Sequence, residues 1–180
     1  MKIGILYLAT GRYICFKYLS SKEQFQQKNI SVSYGIGHGG IESVLIGITF
    51  LSNIFAKDIL IEKGVLKPSI TFFTSLMGAV ERISAVILHI SASVLVYRTV
   101  KGKKITYYII AIIIHDLIDL VAVLYRFEYI KNIFVTEFVF GIFSSCFAYY
   151  AYKLYNSFDN DSDLKNEEKA FAVEEKKKTI

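Results

Sequence analysis

Three histidines, His38, His89 and His115, lie in three separate apolar stretches of the chain, each with charged residues at helical spacing. Glu42 follows His38 by four residues, Glu81 and Arg82 precede His89, and Asp116 and Asp119 follow His115. Residues four apart share one face of a helix, so His38 and Glu42 are expected to point to one place. Asp119 stands one turn beyond His115, placed to orient its imidazole. Arg82 and His89 are nearly two turns apart and share a face, with Glu81 close to it. Ionisable groups are costly in lipid, and within membrane segments they mark functional sites. The chemistry open to such a set is activation of water: a carboxylate takes the proton, and imidazoles stabilise an oxyanion or bind metal. His38, His89 and His115 are the candidate metal ligands, with a divalent ion such as zinc as the candidate cofactor. A proton-coupled transporter would use the same residues as a relay, and a non-catalytic scaffold would use them as polar glue between helices. The residues alone leave these readings open.

The elements that must position these groups are membrane helices. Apolar residues make up 53% of the 180, with a single proline and no tryptophan, and the mean hydropathy is positive. Five stretches approach the roughly 20 apolar residues that cross a hydrocarbon core: about 1–19, 32–56, 69–97, 105–125 and 132–155. They are too long and too uniformly apolar for barrel strands, so the expected fold is an all-α, polytopic transmembrane helix bundle. Lys2 and the run after it resemble a signal peptide, but Arg12 and Lys17 interrupt that run, so a retained helix is expected. Counted inward from one side at the helical rise, His38, Glu42, His89 and His115 all fall about 9–15 Å deep. Three helices thus present their histidines in one layer.

Flanking charge gives the orientation and the partners. Lys17, Lys22, Lys28, Arg98, Lys101, Lys103 and Lys104 lie on one side, against Lys2, Lys57, Lys63, Lys67, Arg126 and Lys131 on the other. The compact 98–104 cluster and the basic tail favour a cytoplasmic C-terminus and a cytoplasm-side site in a multi-pass protein of the plasma membrane. The net charge of +5 belongs to residues that flank apolar spans, so lipid headgroups are the expected partners and nucleic acid is not. Cys15 and Cys146 read as buried thiols. From residue 156 to 180 a charged segment reads as a flexible tail. Its Asp159-x-Asp161-x-Asp163 spacing lacks the glycine and glutamate of a calcium loop, having Leu164 and Ala170 instead.

Familiar soluble motifs give no support. Gly35-x-Gly37-His38-Gly39-Gly40 formally fits a dinucleotide fingerprint but opens a membrane helix instead of following a strand. Its glycines are expected to let neighbouring helices approach closely. HExxH, GxSxG and CxxC are all missing from the sequence.

The runs YGIGHGGIESVLIG, ERISAVILHISASVLV and HDLID resemble the YhfC family of intramembrane proteases, which is related to the CAAX-protease and bacteriocin-processing group. The resemblance covers about residues 8–150. It implies hydrolysis of a peptide bond in a membrane-associated or lipidated substrate, by a metal or by a glutamate-activated water. It also implies a site lined by Glu42, His89, His115 and Asp119, with His38 in the signature and Glu81, Arg82 and Arg12 in support. Arg12 resembles the arginine of the wider group's paired-glutamate motif, yet no glutamate precedes Glu23. On that reading the chain is a shortened copy with Glu42 as the substitute base, and an inactive homologue is the alternative.

Overall fold

A computed structural model describes residues 2–22, 25, 27–64, 72–102 and 104–158, with side chains in the first helix described from Thr10 onward. Among the described residues six helices follow one another: α1 (Lys2–Leu19), α2 (Asn29–Phe55), α3 (Lys57–Glu62), α4 (Phe72–Gly102), α5 (Thr106–Arg126) and α6 (Ile133–Ser157). No strand occurs among the described residues. Among the described residues four stretches are long and apolar enough to cross a membrane: Asn29–Ser52, Met77–Gly102, Thr106–Tyr125 and Ile133–Ser157. α1 is a further apolar helix, but it carries Lys2, Arg12 and Lys17. The chain is an all-helical polytopic bundle, with the short α3 as an element the apolar pattern does not announce. The tail with its three aspartates, from residue 159 on, lies outside the described residues.

α4 is the axis of the bundle, packing against α1, α2, α5 and α6. Every residue from Ser91 to Thr99 is buried, which identifies a helix enclosed all round instead of an amphipathic one. Its hydroxyls are satisfied within the helix: Ser91 Oγ donates to the Ile87 carbonyl at 2.8 Å, Ser93 to His89 at 2.8 Å and Thr99 to Leu95 at 3.2 Å. Such back-bonding lets polar residues sit in the core without partners on other helices. At one end, Phe16 of α1, Phe25, Tyr97 of α4 and Phe158 close around each other. There the Tyr97 hydroxyl donates to the Phe25 carbonyl at 2.9 Å. This cluster ties the α1–α2 connection to the axis and holds the residue after α6 against it.

The approach of α2 to α4 sets where the histidines stand. A Cβ on Gly35 would overlap the Ile90 backbone, and one on Gly39 would come within 3.1 Å of Val86 Cα and His89 Cβ. Gly37 and Gly40 meet nothing within 4 Å. Of the glycines expected to permit close packing, therefore, only the pair four residues apart does so, because residues at that spacing share the face toward α4. Beyond Glu42 the α2 side chains turn outward, and Val44, Leu45, Ile48 and Leu51 are exposed. In a membrane protein, that is the surface lipid covers. Gly35→Ala is expected to cost about 1–3 kcal/mol through overpacking, whereas Gly37→Ala should be neutral or slightly stabilising. Thermal unfolding of both variants in detergent checks the difference, and equal melting temperatures would contradict the close approach.

Candidate functional site

The centre of the site is His89, on the buried face of α4 and 2% exposed. Both ring nitrogens are engaged. An Arg12 Nη donor lies 3.1 Å from Nδ1, and Glu42 Oε2 lies 2.8 Å from Nε2. A guanidinium has only donors, so Nδ1 must accept and carries no proton. The single ring proton then sits on Nε2 and is donated to the Glu42 carboxylate. A doubly protonated ring would set Nδ1–H against the Arg12 donor. His89 is thus a neutral imidazole between a cation on α1 and an anion on α2, and its contact with Glu42 is a charge-assisted hydrogen bond.

Around this chain the other predicted residues take distinct places. His38, on α2, has its ring centroid 5.1 Å from that of His89, and His115, on α5, lies 5.4 Å from His89 on centroids. Three helices therefore bring three imidazoles to one cluster. Arg82 contacts Glu42 Oε1 at 3.7 Å and is paired more closely with its chain neighbour Glu81. Glu81 is consequently satisfied within α4 instead of by another helix. Asp119 lies within electrostatic reach of Glu42, His89 and Arg82. Among the described residues it makes no hydrogen bond to His115, although the two are one turn apart. The reason is that the His115 ring turns in toward His89, and the carboxylate holding an imidazole is Glu42. Asp116 is exposed.

Two residues join the site that the sequence pattern did not single out. The Tyr34 ring stacks on His38, with centroids 6.0 Å apart and planes 11° apart. It stands one turn before His38, so the same spacing that paired His38 with Glu42 would have found it. Glu137 of α6 lies within electrostatic reach of Glu81 and Arg82. Its signal was a lone carboxylate in the apolar run IFVTEFVF.

Exposure rises along the chain of contacts. Arg12 and His89 are each 2% exposed, whereas the side chains of Arg82, Glu81 and Glu42 are 21%, 29% and 38% exposed. Desolvated groups thus hold one oxygen of Glu42, while its other oxygen faces Arg82 at 3.7 Å in a partly exposed pair. A carboxylate placed in this way is both oriented and reachable, as a general base must be.

By donor type and distance the site resembles a metal centre. Potential ligand atoms of His38, Glu42 and His89 all lie within 4.8 Å of one another, and two histidines with one glutamate are a familiar catalytic zinc set. His115, expected as a third ligand, stands outside this group. The hydrogen bonding, however, does not fit. A neutral histidine that gives Nε2 to a metal carries its proton on Nδ1 and donates it to a carbonyl, carboxylate or water. Here Nδ1 faces a donor. The residues as arranged do not fit a resident cation.

What the fold and site define together is a polytopic helical membrane protein with a buried arginine–histidine–carboxylate chain. A family profile described as YhfC intramembrane metalloprotease matches residues 4–140, and the chain belongs to that family. It is similar to the uncharacterized membrane protein YhfC of Bacillus subtilis (strain 168), at 25% identity over 162 residues and 79% of this chain. The chain spans 62% of that relative's length. No solved structure matches.

Nitrogen-15 NMR of histidine-labelled protein, with His89→Gln to assign its signals, reads the tautomer directly. The expected spectrum has an unprotonated Nδ1 and a protonated Nε2 for His89. The opposite pair would refute the Arg12 contact as drawn.

Proposed function

We propose that this protein is an intramembrane peptidase of the plasma membrane, in which Glu42 activates water for attack on a peptide bond. The observation that carries this reading is the half-exposed Glu42 carboxylate at the end of a buried chain, 2.8 Å from His89 Nε2, the nitrogen to which the Arg12 contact assigns the ring proton. Membership of a family described as intramembrane metalloproteases supports the peptidase part of this reading.

In the reaction, Glu42 takes a proton from water as the oxygen attacks the carbonyl carbon of the substrate. The π electrons of that carbonyl move onto its oxygen. Arg82, beside Glu42, and the imidazoles of His38 and His115, beside His89, are the groups assigned to stabilise the resulting oxyanion. Glu42 then returns the proton to the amide nitrogen as the carbon–nitrogen bond breaks, leaving a carboxyl group and an amine. Arg12 and His89 keep Glu42 aimed, and Asp119 adds to the field around it. The substrate must reach this site from lipid or through a cleft, as a membrane segment, a leader peptide or a lipidated C-terminus would.

Glu42→Gln keeps an oxygen to accept from His89 and removes the base. Cleavage should fall by about 10²–10⁴-fold while the melting temperature changes little. No guessed substrate is needed to see it. Membranes of cells carrying the wild-type chain should contain new peptide N-termini, within or beside membrane segments, that membranes carrying Glu42→Gln lack. Identical sets of termini from the two would reject proteolysis through Glu42.

A further inference from the structure

We infer that Arg12 is a positioning residue that keeps a divalent metal out of the His38–Glu42–His89 group, so that a set of metal-ligand types works as a hydrogen-bonded acid–base site. The donor set is otherwise apt: three ligand atoms within 4.8 Å of one another, contributed by two helices that the Gly39 contact holds together. What separates the two uses is the partner of one ring nitrogen. A metal on Nε2 needs the ring proton on Nδ1, and the Arg12 Nη donor 3.1 Å away occupies that position. Ligation with Arg12 in place would leave His89 as an imidazolate or force two donors together. The second effect acts in the same direction, because Arg12 is a cation buried at 2% exposure and a dication beside it is repelled through a medium of low dielectric.

The arginine is held there at a cost. Its Nε–H is buried and has no hydrogen-bond partner among the described residues, whereas buried polar atoms in native proteins are usually satisfied. Packing alone would be better served by an apolar side chain in this place. A guanidinium that leaves one of its own donors unpaired while spending another on His89 Nδ1 is placed for what it does to the histidine. This inference rests on hydrogen bonding and stands whether or not peptide hydrolysis is the reaction.

The test is cobalt binding to the purified full chain in detergent, followed by the visible absorption of tetrahedral Co²⁺ and by metal analysis after desalting. The wild-type chain should bind no stoichiometric Co²⁺, and Arg12→Lys, which retains a donor, should behave likewise. Arg12→Met removes the donor and should bind one ion per chain, about 10–100-fold more tightly than wild type, the usual range for changes in groups that support ligands. Adding His38→Ala to Arg12→Met should abolish that gain. Stoichiometric binding by the wild-type chain, lost in His38→Ala or His89→Ala, overturns the inference. So does a folded Arg12→Met chain that binds no better than wild type. If Arg12→Met does not fold, Arg12→Gln replaces it with the same two readings, and the wild-type titration stands by itself. Proteolysis failing while these results hold would reject the peptidase reading and leave the role of Arg12 intact.

Discussion

An imidazole buried in a membrane bundle has two nitrogens to satisfy and no water to do it, and much of this structure is arranged around that requirement at His89. Leaving either nitrogen unpaired would cost about 1–3 kcal/mol, so partners must come from other helices. Arg12 supplies one from α1 and Glu42 the other from α2. The order of charges matters as much as the contacts. A cation, a neutral ring and an anion in line give a hydrogen-bonded chain whose dipoles all point the same way, and such bonds strengthen one another. The buried Arg12 charge is also compensated by the partly exposed Glu42 across the ring. Removing one member would leave a charge uncompensated, which is expensive where solvent is excluded.

The backbone geometry that permits this chain is the contact of α2 with α4. Gly35 and Gly39 bring the helices together where a methyl group on either would collide with or crowd α4. His38 and Glu42 are carried on the same turns of α2, so the close approach delivers them to the side of His89. The burial of α4 from Ser91 to Thr99 fixes the axial helix, and the aromatic cluster around Tyr97 anchors one end. Packing and chemistry are thus coupled along α4. The segment that cannot move because it is enclosed begins two residues after the histidine that must not move.

Much of this was legible in the sequence, and the limits have physical causes. Long apolar runs announce membrane helices because the bilayer sets their length, and polar residues within those runs announce a site because lipid penalises them. His38, Glu42, His89 and His115 were found on those grounds. Partner assignment was harder. Spacing within a helix shows which residues share a face, and it suggested Asp119 for His115. It does not show which helix lies opposite, and the carboxylate bound to a histidine is Glu42, on a different helix. Arg12 stands out in the sequence through its likeness to a motif arginine, but its partner does not. Its hydrogen bond to a residue 77 positions away depends on how α1 packs against α4, which no local pattern records. Tyr34 and Glu137 could have been read by the same rules and were not.

The type of partner on Nδ1 also explains how one group of side chains can resemble two kinds of catalytic site. Two histidines and a glutamate within 4.8 Å constrain only which atoms can converge. They do not determine which of those atoms carry protons. An acceptor behind His89 would push its proton to Nδ1 and turn the bare Nε2 toward His38 and Glu42, ready for a cation. A donor behind it reverses the ring, so that Nε2–H points at Glu42 and holds the carboxylate for water. The choice is made one residue back from the reacting atoms, between two groups each 2% exposed, where a hydrogen bond has little competition from solvent. Glu42 then inherits both halves of the arrangement: one oxygen fixed by a buried donor, and the other beside the partly exposed Arg82.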